Sequence, residues 1–383
     1  MASVSNLPAQ EAPHPFEEIF AEQKASFAKN RMPTANGRIR NLDLLHNAII
    51  DNKDALIAAV NQDFGNRAEG ETLLAEIFPV LEGIHYCRKH IKRWMKPQKR
   101  KVPLLVAPAS VRVYPQPLGV VGIVVPWNFP VFLCFSPLIY ALAAGNRAMI
   151  KTSEFAPATG DLIARIIEQT FPDKTVVVVS GDAHVAARFT SLPFDHLVFT
   201  GSTSVGKMVM GSAAANLTPV TLELGGKSPA IVHPEFPIKE AARRISFGKS
   251  INAGQVCVSP DYVLCHKSKV EAFCEAFAEE ITHRYPETKN NEDYTAIITE
   301  KQKERLQGYL KDAQSKGARL IKVNPSSDNL DSTKKMNMTL VLNANDEMRV
   351  MQEEIFGPIL PIIPFDTTEE ALAYVNQKER PLA

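Results

Sequence analysis

Tryptophan is nearly absent from this chain, with 2 residues in 383, and cysteine is sparse, with 5. Five is an odd number and the spacing is irregular, so there is no pattern of a disulfide framework. A reducing compartment, the cytoplasm, is the expectation. No charge sign is in excess: 43 Lys and Arg stand against 42 Asp and Glu, a formal +1. A chain this close to neutral has no general attraction to nucleic acid or to an anionic membrane surface. The opening residues, MASVSNLPAQEAPHP, lack a basic start and an apolar stretch, so no secretory signal is read there. Residues 1–13 are expected to form a loose tail. Internal repeats and low-complexity tracts are missing too. What is present, 45% hydrophobic and 22% charged residues, is the composition of a soluble globular protein. At about 150 residues per domain the length suggests two or three domains.

One stretch lacks charge altogether. Residues 113–146 contain no Asp, Glu, Lys or Arg, enough for a membrane span of about 20 residues. Pro126, Pro130 and Pro137 interrupt it, and Asn128 stands in its middle. A continuous helix would lose hydrogen bonds and clash at each proline. The stretch is therefore read as a buried strand, a turn and a buried helix, with no membrane span.

The spacing of Leu42, Leu45, Ile49, Leu56 and Val60 predicts helices early in the chain. So does that of Leu73, Leu74, Ile77, Val80 and Leu81, with Pro79 as a possible kink. The eight Lys or Arg residues between 88 and 101 read as a solvated helix end and linker. From residue 111 the pattern alternates. Strands are predicted at 111–114, 120–125, 148–151, 175–179 and 196–200, with helices ending at 144 and spanning 161–170 and 184–189. The β-branched run 120–125 suits a strand buried on both faces. This alternation predicts an α/β fold with a parallel, doubly wound sheet. Helices at 240–251, 270–285 and 301–316, strands at 262–265 and 320–323, and a polar loop at 324–335 follow. Gly225-Gly226, within 222–227, marks a plausible domain boundary.

Four features carry chemistry. Gly201 to Lys207 follows a predicted strand and opens a helix, where free backbone amides favour phosphate. Its spacing is nearly that of a P-loop, but Met208 stands where a hydroxyl would meet Mg²⁺. A dinucleotide pyrophosphate needs no Mg²⁺ and fits the same turn, and so does a plain strand–helix connection. Cys257 follows Gly254 in a non-periodic segment, where backbone amides are free to meet an oxyanion; an inert buried thiol is the ordinary alternative. Glu223 lies in an apolar strand-like run, where burial would raise its pKa toward that of a general base; a salt bridge to Lys227 would also explain it. Asn128, between two prolines, is either a neutral amide donor or a turn residue. Together a thiol, an amide, a carboxylate and a phosphate-accepting loop fit aldehyde oxidation. No histidine base is required, and no metal site is expected.

The chain resembles the aldehyde dehydrogenase superfamily in PWNFP (126–130), AAGNRAMIKTSE (143–154), FTGSTSVGK (199–207), TLELGGKSP (221–229), GQVCVSPDY (254–262) and EEIFGP (353–358). The stretches appear in the family's order across most of the chain. Pro260-Asp261-Tyr262 and the short N-terminal region look most like the class-3 branch, which includes coniferyl-aldehyde and fatty-aldehyde dehydrogenases. The resemblance implies a Rossmann-like NAD(P)-binding domain over 14–224, with an oligomerisation hairpin near 101–118, and a catalytic domain over 225–383. It implies that Cys257 is the nucleophile, Asn128 and the Cys257 backbone amide the oxyanion donors, and Glu223 the base for thioester hydrolysis. Lys151 and Glu154 match contacts to the adenosine ribose. Gly201, Ser202 and Gly206 match the pyrophosphate turn. Glu354 and Phe356 match contacts to the nicotinamide ribose and ring, and Pro126, Trp127 and Leu224 line the same cleft.

NAD or NADP is the implied cofactor, a small aldehyde the partner, and a homodimer the full-length assembly. Phe129, Phe132, Phe135 and Phe247 are candidates for an aromatic or aliphatic tunnel; at helical spacing, Phe132 and Phe135 fit a core role equally well. Two departures stand out. Thr152 replaces the usual proline, and the sequence stops at Ala383 where family members continue, so a C-terminally truncated catalytic domain is expected. Two other functions fit parts of the pattern: a P-loop-like phosphohydrolase using Lys207, and an inactive nucleotide-binding fragment.

Overall fold

Residues 14–383 are described by a computed structural model; the expected tail lies outside the described residues. The described residues start with helices at Pro15–Lys29, Ala35–Asp51, Lys53–Phe64 and Phe78–Trp94. The residues at helical spacing, Leu42, Leu45, Ile49, Leu56 and Val60, are all fully buried. Pro79 closely follows an irregular stretch of its helix. It lies inside a run that is helical from Glu69 to Trp94, where it removes one backbone donor from the ladder. The irregularity falls just upstream, at Leu73–Ile77, which forms one turn of π-helix. The basic stretch forms the end of Phe78–Trp94 and then an exposed strand, β1 (Gln98–Arg100), paired antiparallel with β2 (Val111–Val113). A linker was expected at β1. Every residue of both strands is exposed.

The uncharged stretch divides as its prolines require. Strand β3 (Val120–Val124) is followed by the turn 126–130 and the helix Phe132–Ala144. Gly145, with φ 88°, ends that helix in a left-handed conformation. Among the described residues no helix is long and apolar enough to cross a membrane.

Four further parallel strands join β3: β4 (Arg147–Lys151), β5 (Val176–Val179), β6 (His196–Gly201) and β7 (Val220–Leu224). Their order is β5-β4-β3-β6-β7. Helices Pro157–Thr170, Ala183–Thr190 and Thr203–Ala214 connect them. The chain therefore winds outward from β3 on one side and then on the other. That reversal leaves a crevice beyond the strand C-termini, where ligands of doubly wound sheets bind.

The second sheet contains β8 (Pro229–Val232), β9 (Tyr262–His266), β10 (Arg319–Val323), β11 (Met338–Leu342) and β12 (Ile359–Phe365). The order is β10-β11-β12-β9-β8, with only β10 antiparallel to its neighbour. Helices Ile238–Ser250, Val270–Arg284 and Glu300–Ser315 lie between its strands in sequence. β7 ends at Leu224 in the first sheet and β8 begins at Pro229 in the second, with Gly225-Gly226 between them.

Candidate active site

The crevice edge collects three loops of the first sheet. After β3, Pro126 and Trp127 are half-buried and Asn128 is buried. At the end of β4, the Lys151 side chain is buried and donates to the Thr152 and Gly181 carbonyls at 2.5 and 2.7 Å, with Glu154 Oε2 at 3.9 Å. Burial pushes its pKa below the ordinary lysine value. Thr152, where a proline was expected by resemblance, donates its backbone N–H to Val179 at 3.2 Å, a bond proline lacks.

After β6, Ser202 caps the helix Thr203–Ala214 through Val205 N. A Cβ on Gly206 would stand 2.7 Å from Leu224 Cδ2, so this glycine lets the helix close on β7. The helix has already begun at Thr203. Gly201 to Gly206 is therefore no open phosphate-wrapping loop, and Lys207 lies within the first turns. This geometry disfavours the P-loop reading. Among the described residues no cluster of three or more His, Cys, Asp or Glu side chains is placed to hold a metal ion.

Cys257 sits beyond the helix Ile238–Ser250 in an unusual turn. Asn252, Ala253 and Gly254 all have positive φ, at 50°, 50° and 74°, a costly run for the two non-glycines. A Cβ on Gly254 would strike the Gly357 carbonyl, so the turn is pressed against the segment 353–357. Asn128 Nδ2 donates to the Gln255 carbonyl at 3.2 Å, two residues before the cysteine. Asn252 Nδ2 donates to the carbonyls of both Asn128 and Gln255, at 3.0 and 3.1 Å. Asn128 and the turn that leads to Cys257, far apart in sequence, thus belong to one hydrogen-bonded unit.

Burial, then the nearby Glu354 and, more weakly, the Glu223 carboxylate push the half-buried Cys257 thiol above its ordinary pKa, against its own and the Val258 backbone amides. Burial raises the Glu354 carboxyl to about 7. Phe356, with φ 52°, packs edge-on against Trp127 at a centroid distance of 5.4 Å.

The expected burial of Glu223 is wrong. β7 is an edge strand of its sheet and Glu223 is exposed. The alternative partner is wrong as well. Lys227 pairs with Asp261 and also donates to the Val350 and Glu353 carbonyls. Asp261 Oδ1 in turn accepts from Ile355 N at 2.8 Å. This cluster joins the loops bearing Glu223, Cys257 and Glu354. Lys249 beneath it is buried, donates to the Pro260 carbonyl at 2.9 Å and is lowered by burial to about 8. Of the tunnel candidates, Phe135 is fully buried in the first core and Phe132 packs against it, Phe129 is buried, and Phe247 is exposed.

Sequence reasoning missed Asn252, Asp261, Lys249 and a buried pair behind Asn128, Arg67 and Glu76. A lone carboxylate in Leu-Leu-Ala-Glu-Ile-Phe was the available signal for Glu76.

A doubly wound sheet with a capped helix N-terminus at its crevice, together with a thiol on a turn bonded to a buried amide and within electrostatic reach of two carboxylates, defines a nucleotide-binding α/β protein with a cysteine centre. The chain belongs to the Aldehyde dehydrogenase family, a group of oxidoreductases, matching it over residues 4–383. It is 53% identical over 375 residues to a "Probable coniferyl aldehyde dehydrogenase" of Pseudomonas aeruginosa, covering 98% of this chain and 78% of that protein. Matches to family 3 members accord with the class-3-like branch. A substrate-bound Staphylococcus aureus AldH structure aligns with TM-score 0.91 and 36% identity, over 97% of this chain and 80% of that one. A Mycobacterium tuberculosis aldehyde dehydrogenase complexed with NAD+ aligns at 0.83 and 28%, over 92% and 73%.

Proposed function

We propose that this protein oxidises an aldehyde to a carboxylic acid with NAD or NADP, and that the substrate is an aromatic aldehyde of coniferyl type or a long-chain aldehyde. The single observation that carries the reading is the bonded unit of Asn128 and the Cys257 turn, with Glu223 and Glu354 close to the sulfur. The name of the Pseudomonas aeruginosa relative supports the coniferyl class.

The crevice fits a dinucleotide. The N-terminus of Thr203–Ala214 offers backbone amides to a pyrophosphate, with Ser202 and Gly201 beside it. Lys151 and Glu154 stand at the end of β4 for the adenosine ribose, and Glu354 and Phe356 for the nicotinamide ribose and ring. Pro126, Trp127 and Leu224 complete the cleft. When bound, the dinucleotide supplies the hydride acceptor.

The chain's own groups do the rest. The Cys257 thiolate attacks the aldehyde carbon and the carbonyl electrons move to oxygen. Asn128 Nδ2 and the Cys257 backbone N–H hold that oxyanion. Loss of hydride from carbon leaves a thioester on Cys257. Glu223, exposed at the edge strand, takes a proton from water as the water attacks; the C–S bond breaks and the acid leaves.

Residues 14–224 then form the cofactor domain and 225–383 the catalytic domain. The exposed β1–β2 arm, with Leu104, Leu105 and Val106 protruding, is proposed to join two copies as a homodimer, and cytoplasmic residence suits the five free thiols. The test is reduced-nicotinamide absorbance with coniferyl-type and long-chain aldehydes, with NAD and NADP, for the chain and for Cys257→Ala. Turnover that requires Cys257 supports the reading. Turnover that survives the substitution removes the covalent route, and cofactor binding without turnover supports the nucleotide-binding fragment.

A further inference from the structure

Arg67 and Glu76 appear in none of the motifs, and no step of the reaction touches them. Both side chains are fully buried, with Arg67 Nη1 2.9 Å from Glu76 Oε1. A buried ion pair is weak support for stability, and fixing a geometry is one role such a pair can have. Here that geometry is the Asn128 turn. Arg67 Nη1 donates to the Asn128 carbonyl at 3.1 Å. Glu76 Oε2 accepts from Val131 N and Phe132 N at 2.7 and 3.1 Å, where the helix Phe132–Ala144 begins. One pair therefore holds the turn at its centre and at its exit into the helix. The Arg67 guanidinium also lies 4.7 Å from the Phe129 ring centroid and 5.1 Å from that of Phe64. A second carboxylate, Glu71, stands 3.6 Å from Arg67 Nε. Glu76 projects from the π-helical turn Leu73–Ile77, a local form that often marks functional sites.

We propose that Arg67, fixed by Glu76, is a positioning residue for the oxyanion site: it holds the Asn128 main chain so that the side-chain amide faces Cys257. This rests on Asn128 being the oxyanion donor.

The test is a double-mutant cycle on the full chain with Arg67→Met, Asn128→Ala and their combination. Arg67→Met is expected to lower kcat about 10-fold while the KM for NAD changes less than about 2-fold. In the Asn128→Ala background the same substitution is expected to cost less than about 2-fold, because its target is gone. An equal loss in both backgrounds would mean a general structural effect and overturn the proposal. Should Arg67→Met fail to fold, Arg67→Met/Glu76→Gln removes both charges; full kcat in that folded variant also overturns it. A readout independent of turnover is the side-chain amide resonance of Asn128 in protein labelled with ¹⁵N-asparagine, assigned by its loss in Asn128→Asp. It should shift in Arg67→Met, and an unmoved resonance overturns the proposal even in a preparation without activity. If Asn128→Ala leaves turnover intact, the oxyanion reading fails separately, and the resonance still decides whether Arg67 holds the turn.

Discussion

Glu354 lies directly over Gly225: a Cβ at that glycine would overlap both oxygens of the carboxylate. The glycine is thus a condition for the seating of Glu354, which is raised to about 7 and stands close to the thiol. Gly225→Ala must displace the carboxylate or the loop. Overpacking of this kind costs about 1–3 kcal/mol, and kcat/KM is expected to fall at least about 10-fold. Thermal unfolding and steady-state kinetics measure the two effects. Unchanged kinetics would show that the seating of Glu354 does not matter to turnover.

Lys227 and Asp261 form the other tie between these loops, with side chains 13% and 4% exposed. Removing one partner of so buried a pair leaves the other uncompensated, at a cost of about 3–5 kcal/mol. Asp261→Asn keeps the shape and loses the charge. Urea unfolding should show a loss of that size, and a loss below about 1 kcal/mol would place this pair with ordinary surface bridges.

The protonation of Glu354 also predicts how stability varies with pH. Its carboxyl is raised from an ordinary 4.5 to about 7, chiefly by burial. Between these values the folded state keeps a proton that the unfolded state has released. The stabilisation is therefore fully present below pH 4.5 and is lost as pH rises through 7, by an amount on the order of a few kcal/mol. Glu354→Gln has no such term. The difference in melting temperature, variant minus parent, should grow from pH 5 to pH 7.5, and a flat difference would count against a buried acid.

Much of this was legible in the sequence where local pattern and tertiary role agree. The run 120–125 is β-branched and apolar, and it forms the buried centre of the first sheet. Strand β12 was not legible, because Pro361 and Pro364 interrupt a segment that nevertheless pairs on both sides with β11 and β9; proline ordinarily argues against a central strand. The motif residues near Cys257 were readable from residue type and order. The exposure of Glu223 was not, since an edge strand and a central one can share the same apolar pattern. Arg67, Asn252 and Asp261 act through contacts across long sequence separations, which a single sequence does not display.

The thiol itself gives the last prediction. Burial contributes most to its raised pKa, and the negative charges of Glu354 and Glu223 add to it. A neutral side chain at position 354 removes the second of these causes and leaves burial in place. The pH profile for alkylation of Cys257 by iodoacetamide should therefore move to lower pH in Glu354→Gln, because the thiolate is the reactive form. Glu223→Gln should move it the same way by less, as the weaker contributor. The four other thiols are buried and raised by desolvation, so the folded protein should take up one label, at position 257, confirmed by peptide mass. A profile that does not move in Glu354→Gln would show that the two groups are not electrostatically coupled, and would remove Glu354 from the account of how the nucleophile is controlled.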